Sequence, residues 1–271
     1  MRSIFASLAA AGTFFATAVT STASILDDIS GIVYHLDAGA GLTLSGNSVL
    51  AWESQSVGGL TFAQSTVVKQ PTFISASASF NDLPVIRFDG DLTGNTGGVA
   101  PNADELVLSV GTTVQTIVIV NRTLQHRNLD GVWGDEAGDI GLRRANASNW
   151  QHPGNPNDFS NGGAMFINGI ATTAAGLNTP VIVFATRSSA VAFNDTSIGD
   201  YFQVGVNTPR SWNGEIAELA VYDRALTESE RTQIESYLGA KYNIAVVPEP
   251  VSMAMLALGA LAVCTRRCRR G

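Results

Sequence analysis

The chain has 271 residues, 45% of them apolar, with three histidines, two cysteines and a net charge of −7. Both cysteines, Cys264 and Cys268, stand at the extreme C-terminus, which excludes a disulfide framework and a cysteine-based metal or redox centre from the body. Once Arg2 and the four C-terminal arginines are set aside, 11 basic residues face 23 acidic ones between Asp27 and Glu249, a balance of −12 that repels nucleic acid and anionic lipid.

The first residues, MRSIFASLAAAGTFFATAVTSTAS, carry one arginine, an apolar stretch from Ile4 to about Val19, and then small side chains. Ser21, Thr22 and Ala23 are the small residues a signal peptidase reads, so residues 1–23 are assigned to a signal peptide cleaved after Ala23. An uncleaved N-terminal anchor is the alternative, and either one exports the chain.

Residues 24–246 read as one domain, with no dividing linker and no internal repeat. Runs rich in Val, Ile and Phe recur between Gly, Asn, Asp and Pro. They are LPVIRFD (Leu83–Asp89), ELVLSV (Glu105–Val110), QTIVIVN (Gln115–Asn121), AMFING (Ala164–Gly169), PVIVFAT (Pro180–Thr186), YFQVGV (Tyr201–Val206) and GEIAELAVYD (Gly214–Asp223). Such runs predict strands, and their spacing predicts an all-β antiparallel sandwich or jelly roll.

The loops between the strands carry the candidate sites. FDGDLTGN (Phe88–Asn95) holds Asp89 and Asp91, and WGDEAGDIG (Trp133–Gly141) holds Asp135, Glu136 and Asp139. Calcium takes six to eight oxygens from such loops, although Asp-Gly runs are also ordinary turn chemistry. The loop RRANASNWQHPGNPNDFSNGG (Arg143–Gly163) offers Trp150, His152, Asn155, Asp158 and Phe159. An aromatic face among amides and a carboxylate suits a sugar ring, which is apolar on its face and polar at its edge. Trp52 and Trp212 are expected in the core. The histidines are too scattered to form a metal set or supply a catalytic base, and neither a nucleophile elbow nor a phosphate-binding glycine loop occurs.

ALTESERTQIESYLGAKY breaks the β pattern. Thr227 and Glu230 have the spacing of a capping box, and a helix is predicted from about Thr227 to Ala240. Ile234, Tyr237, Leu238 and Tyr242 form its packed face, with Glu228, Arg231 and Glu235 outside. The chain then closes on VPEPVSMAMLALGALAVCTRRCRRG. Val251 to Cys264 would make a helix of about 21 Å, short for a hydrocarbon core of about 30 Å. Pro248 and Pro250 keep the preceding segment extended, and Arg266, Arg267, Arg269 and Arg270 form a cytoplasmic stop.

Two resemblances follow from these residues. WNGEIAELAVYDRALTESERTQIESYLGAKYNI (Trp212–Ile244) resembles the closing strand and C-terminal helix of concanavalin A-like, laminin-G-like jelly-roll domains. YHLDAGAG (Tyr34–Gly41), VLAWESQS (Val49–Ser56), QPTF (Gln70–Phe73) and LPVIRFDG (Leu83–Gly90) resemble the opening strands of that family. The similarity is loose between Gly97 and Gly163. Val247, Pro248, Glu249 and Pro250, with the apolar run of about 251–264 and the arginines behind it, resemble the PEP-CTERM sorting signal of Gram-negative bacteria.

The first resemblance implies a jelly roll, and calcium as a family ligand. The second implies an exosortase as processing partner for residues 247–271, after signal peptidase has acted. It also implies an inner-membrane intermediate that contacts the membrane through the terminal helix, followed by delivery to the cell surface or an extracellular polysaccharide matrix. Some jelly rolls of this superfamily are glycoside hydrolases, and laminarinase-type relatives carry Glu-x-Asp-x-x-Glu on one strand. That run is absent here. The nearest is Glu215-Ile-Ala-Glu218, whose odd spacing is expected to send the two carboxylates to opposite faces of a strand. The expected function is therefore non-catalytic, either glycan-binding or structural. A divergent glycan hydrolase and a permanently tail-anchored envelope protein are the alternatives.

Overall fold

A computed structural model of the chain describes residues 24–56, 58–90, 102–127, 130–135, 140–151, 154, 156–200 and 211–247. The expectations placed on Ala23, on Tyr201–Val206 and on residues 248–271 lie outside them.

The described residues form a predominantly antiparallel β structure. In chain order the strands are β1 (Ile32–Asp37), β2 (Leu42–Ser45), β3 (Ser48–Glu53), β4 (Thr61–Ala63), β5 (Thr72–Ser77), β6 (Leu83–Asp89), β7 (Leu106–Leu108) and β8 (Thr112–Gln125). They continue as β9 (Gly131–Asp135), β10 (Gly141–Asn146), β11 (Asn149–Trp150), β12 (Ala164–Ile167), β13 (Ile170–Ala171), β14 (Val181–Phe193), β15 (Thr196–Ile198) and β16 (Asn213–Tyr222). The hydrogen-bonded order is β11-β10-β9-β15-β7-β4-β3-β5-β6-β16-β8-β14-β12-β13, with β1 on β16 and β2 on β3.

That order folds back on itself. Trp52, Phe62, Leu106, Trp133, Leu142 and Ile198 from its first half share one core with Ile86, Phe88, Ile117, Ile119, Val183 and Leu219 from its second. The second half is covered on its other face too. There Val85, Val118, Val120, Ile182, Phe184, Ala220 and Tyr222 meet Leu26 of the short helix α1 (Ile25–Asp28) and Ile234, Leu238 and Tyr242 of α2 (Glu228–Tyr242). Burial on both faces explains why QTIVIVN and PVIVFAT read as nearly continuous apolar runs. Trp52 and Trp212 are fully buried, as expected.

α2 begins at the expected place. Thr227 Oγ1 accepts from Glu230 N, and the Glu230 carboxylate accepts from Thr227 N at 2.8 Å. The expected outer face needs correction: Arg231 and Glu235 are 4% and 1% exposed. The hairpin of β12 and β13 leans over this side of the helix, with the Arg231 guanidinium 3.9 Å from the Phe166 ring centroid. Arg231 Nη1 donates to Glu235 Oε2 at 2.7 Å, and Gly169 N donates to Glu235 Oε1 at 3.2 Å. Charges at helix positions i and i+4 read as a solvated pair in a sequence, but here they fill the angle between helix and hairpin.

Candidate functional site

The loop expected to present an aromatic face to sugar folds inward instead. Trp150 N donates to Thr173 O, Gln151 N to Arg143 O and Phe159 N to Gly141 O, so the segment runs back along β10. Trp150 is 1% exposed and Phe159 is fully buried. The Phe159 ring meets Trp133 edge-on at 4.9 Å, and the Arg144 guanidinium lies over the Trp150 ring. Neither ring offers the exposed face that sugar stacking needs.

Asp158 is buried with them. Its Oδ1 accepts from Ser160 N at 2.8 Å and from the Ser160 hydroxyl, while its carbonyl accepts from Arg187 Nη1 at 3.1 Å. Burial pushes this carboxyl up to about 6, against the hydrogen bonds from Ser160 and the charges of Arg143 and Arg187. His152 and Asn155 lie outside the described residues.

The calcium candidates are divided in the same way. Asp135 ends β9, its N–H bonded to Ile140 O at 3.0 Å, and Glu136 and Asp139 lie outside the described residues. Asp89 ends β6, and Asp91 lies outside. Asp104 was missed in the sequence because it follows the acidic loop instead of standing in it. Asp89 N donates to Asp104 Oδ2 at 2.9 Å and Asp104 N to Asp89 Oδ1 at 3.3 Å, so each carboxylate caps the other's backbone. Burial, then the charge of Asp89, pushes Asp104 up to about 7. Among the described residues, no group of three or more His, Cys, Asp or Glu side chains is placed to hold a metal ion.

The strongest constellation lies under α2 and includes Glu215 and Glu218, the pair weighed in the sequence against a glycosidase motif. Ile216↔Asn121 and Glu218↔Val120 are paired across β16 and β8, which leaves Ala217 as an extra residue, a β-bulge. Ile216 and Leu219 consequently face the inter-sheet core, whereas Ala217 and Ala220 face α2. The bulge resets the alternation, so Glu215 and Glu218 share the α2 side of β16. The expectation of opposite faces is corrected on this point.

Both carboxylates are 1% exposed, and both are engaged. Glu215 accepts from Arg87 Nε at 3.1 Å and from Arg122 Nε at 2.9 Å. Glu218 accepts from His35 Nε2 at 2.7 Å, Lys241 Nζ at 2.9 Å and Tyr242 Oη at 2.8 Å. His35 Nδ1 reaches Asp27 at 3.0 Å on α1, and Lys241 reaches Asp37 at 2.7 Å. One hub thus joins α1, β1, β16 and α2. Burial alone would lower the His35 pKa, but its hydrogen bonds to Asp27 and Glu218, together with their charges, raise it to about 9. The same hub raises Lys241: burial opposes this, but Glu218 and Asp37 outweigh it.

Chemically this is a neutralised site. Two or three cationic or hydroxyl donors occupy each carboxylate, and at 1% exposure neither presents an open face to a polymeric substrate. Of the four residues expected to form a sorting motif, Val247 alone lies among the described residues, and it is half exposed. No helix among the described residues is long and apolar enough to cross a membrane. No family model, curated protein or solved structure matches the chain.

Proposed function

We propose that the protein is an exported, non-catalytic jelly-roll protein of the concanavalin A-like, laminin-G-like type. In this reading it is sorted through its C-terminal VPEP segment to the cell surface or extracellular polysaccharide matrix. The observation that carries the non-catalytic part is the engagement of Glu215 and Glu218. The sequence offered them as the nearest approach to a glycosidase pair and put them on opposite faces; the bulge puts them on one face, and both are buried in ion pairs. The inward turn of Trp150 and Phe159 favours a structural component of the matrix over a sugar-stacking lectin. The N-terminal pattern of one arginine, an apolar stretch and small residues at 21–23 supports delivery outside the cell.

The test has two arms on the full-length protein. Mass spectrometry of the mature form from a Gram-negative host with an exosortase is expected to show residues 1–23 and the terminal arginines removed. An intact Arg270 would overturn the sorting reading. A hydrolysis screen over bacterial and plant glycans is expected to show no turnover. Turnover lost in a folded Glu215→Gln or Glu218→Gln variant would install the hydrolase reading instead.

A further inference from the structure

The residues between α2 and the sorting motif are held on both sides. α2 ends at Asn243 in the left-handed conformation, after which Ile244 N donates to Gly239 O at 2.9 Å. Ile244 is 9% exposed, and Val246 packs against the core beneath the helix. Val247 N then donates to Asn168 O at 2.9 Å, in the turn between β12 and β13. Asn168 is itself fixed, since its Oδ1 accepts from Ile182 N at 2.8 Å. Glu235 holds the next residue of the turn through Gly169 N.

Two glycines make this approach close enough. Gly169 has φ +84°, and a Cβ there would run into the carbonyl oxygen of Val247. A Cβ on Gly239 would stand 2.7 Å from Val246 Cγ2 and 2.8 Å from Ile244 O. The buried Arg231–Glu235 pair therefore has a consequence beyond the helix: it steadies the turn on which the end of the domain rests.

We propose that Ile244–Val247 is a docked strap that keeps the folded chain closed to proteolysis up to Val247 and so places the processing cut beyond it. A protease works on an extended backbone whose hydrogen-bonding groups are free, and a docked segment is cut only in proportion to how often it opens. The cut breaks one peptide C–N bond. Water, or an acceptor amine in a transfer, takes the acyl group, and the tail leaves with a free amine. The body then keeps the packing of Ile244 and Val246 and the contact of Val247 with Asn168. The strap refines the proposed function and rests on its reading of the tail as a removable segment.

Thermolysin, which cuts before Ile, Leu and Val, tests this on the full-length chain held in detergent micelles. Wild-type protein is expected to lose tail fragments while the bonds before Ile244, Val246 and Val247 stay intact. Gly169→Ala is expected to speed those three cuts, and Val246→Asp, which deletes the site before that residue, the cut before Ile244, about tenfold or more, as loss of one backbone hydrogen bond and its packing implies. Val246→Asp guards against misfolding at Gly169, and a cooperative melt is required of each variant. Equal cutting within 244–247 in wild type and folded variants would overturn the strap. So would a mature form from the host that ends before Val247. An intact Arg270 in the host form, with protection retained in micelles, would defeat the sorting reading and leave the strap standing.

Discussion

Glu215 and Glu218 stand on the same side of β16 although they are three positions apart, because the extra residue Ala217 resets the alternation between them. Their surroundings differ. Glu218 is enclosed with His35, Lys241 and Tyr242, whereas Glu215 shares its charge with Arg87, whose side chain is 45% exposed.

Glu218→Gln is therefore expected to be the more damaging change. It leaves the buried His35 and the partly buried Lys241 with less negative charge than they need, and breaking one side of a buried pair costs about 3–5 kcal/mol. Glu215→Gln strands Arg122 but lets Arg87 turn to water, so its cost is expected nearer 1–2 kcal/mol. Urea denaturation of both variants at pH 7 checks the order. Equal losses would mean that the two sites are equally wet.

His35 gives the hub a pH signature. Its folded pKa of about 9 lies above the ordinary value of 6.5, so the native state holds the proton more tightly than the unfolded chain. The resulting stability is fully present below pH 6.5 and is lost as pH rises to 9. The difference corresponds to about 3 kcal/mol. Melts between pH 7 and 9 are expected to fall steeply in wild type and to flatten in His35→Gln.

Phe159 separates a core residue from a binding residue. Its ring fills the space beside Trp133, so Phe159→Ala should cost about 3–5 kcal/mol, while Phe159→Leu, which keeps most of the volume, should cost under about 1.5. Chemical denaturation reads both. A stable Phe159→Ala variant that had lost affinity for a polysaccharide would restore the lectin reading of the loop.

How far the chain could be read in advance depended on how local the signal was. The run LPVIRFD, the capping box of Thr227 and Glu230, and the buried Trp52 and Trp212 each follow from periodicity or neighbouring residues. They stand as expected apart from small shifts at element ends. The inward position of Phe159 was not legible, because it depends on hydrogen bonds to Gly141, eighteen residues earlier. The burial of Arg231 and Glu235 depends on the hairpin at Phe166 and Gly169, and the side of Glu218 depends on a bulge that no residue type announces. Each miss was a polar or aromatic residue whose surroundings come from distant segments.

Asp104 supplies the last prediction. It is held mostly buried beside Asp89, and its pKa of about 7 lies well above the ordinary value of 3.8. The native state therefore favours the protonated carboxyl, and ionising it as pH rises from about 4 to 7 withdraws stability. Asp104→Asn keeps an oxygen to accept from Asp89 N and removes the like charge. The variant is expected to match wild type near pH 4 and to exceed it by roughly 2 kcal/mol at pH 8, after discounting for partial exposure. Above pH 7 Asp104 is already ionised, so this gain should stay level while the His35 contribution falls, and the double variant should lose both slopes. If Asp104→Asn instead weakens the protein at pH 8, the ionised pair is favourable there, which would point to a bound cation between Asp89 and Asp104. A melt repeated with millimolar calcium then decides the matter, because only a ligand of the native form raises the midpoint.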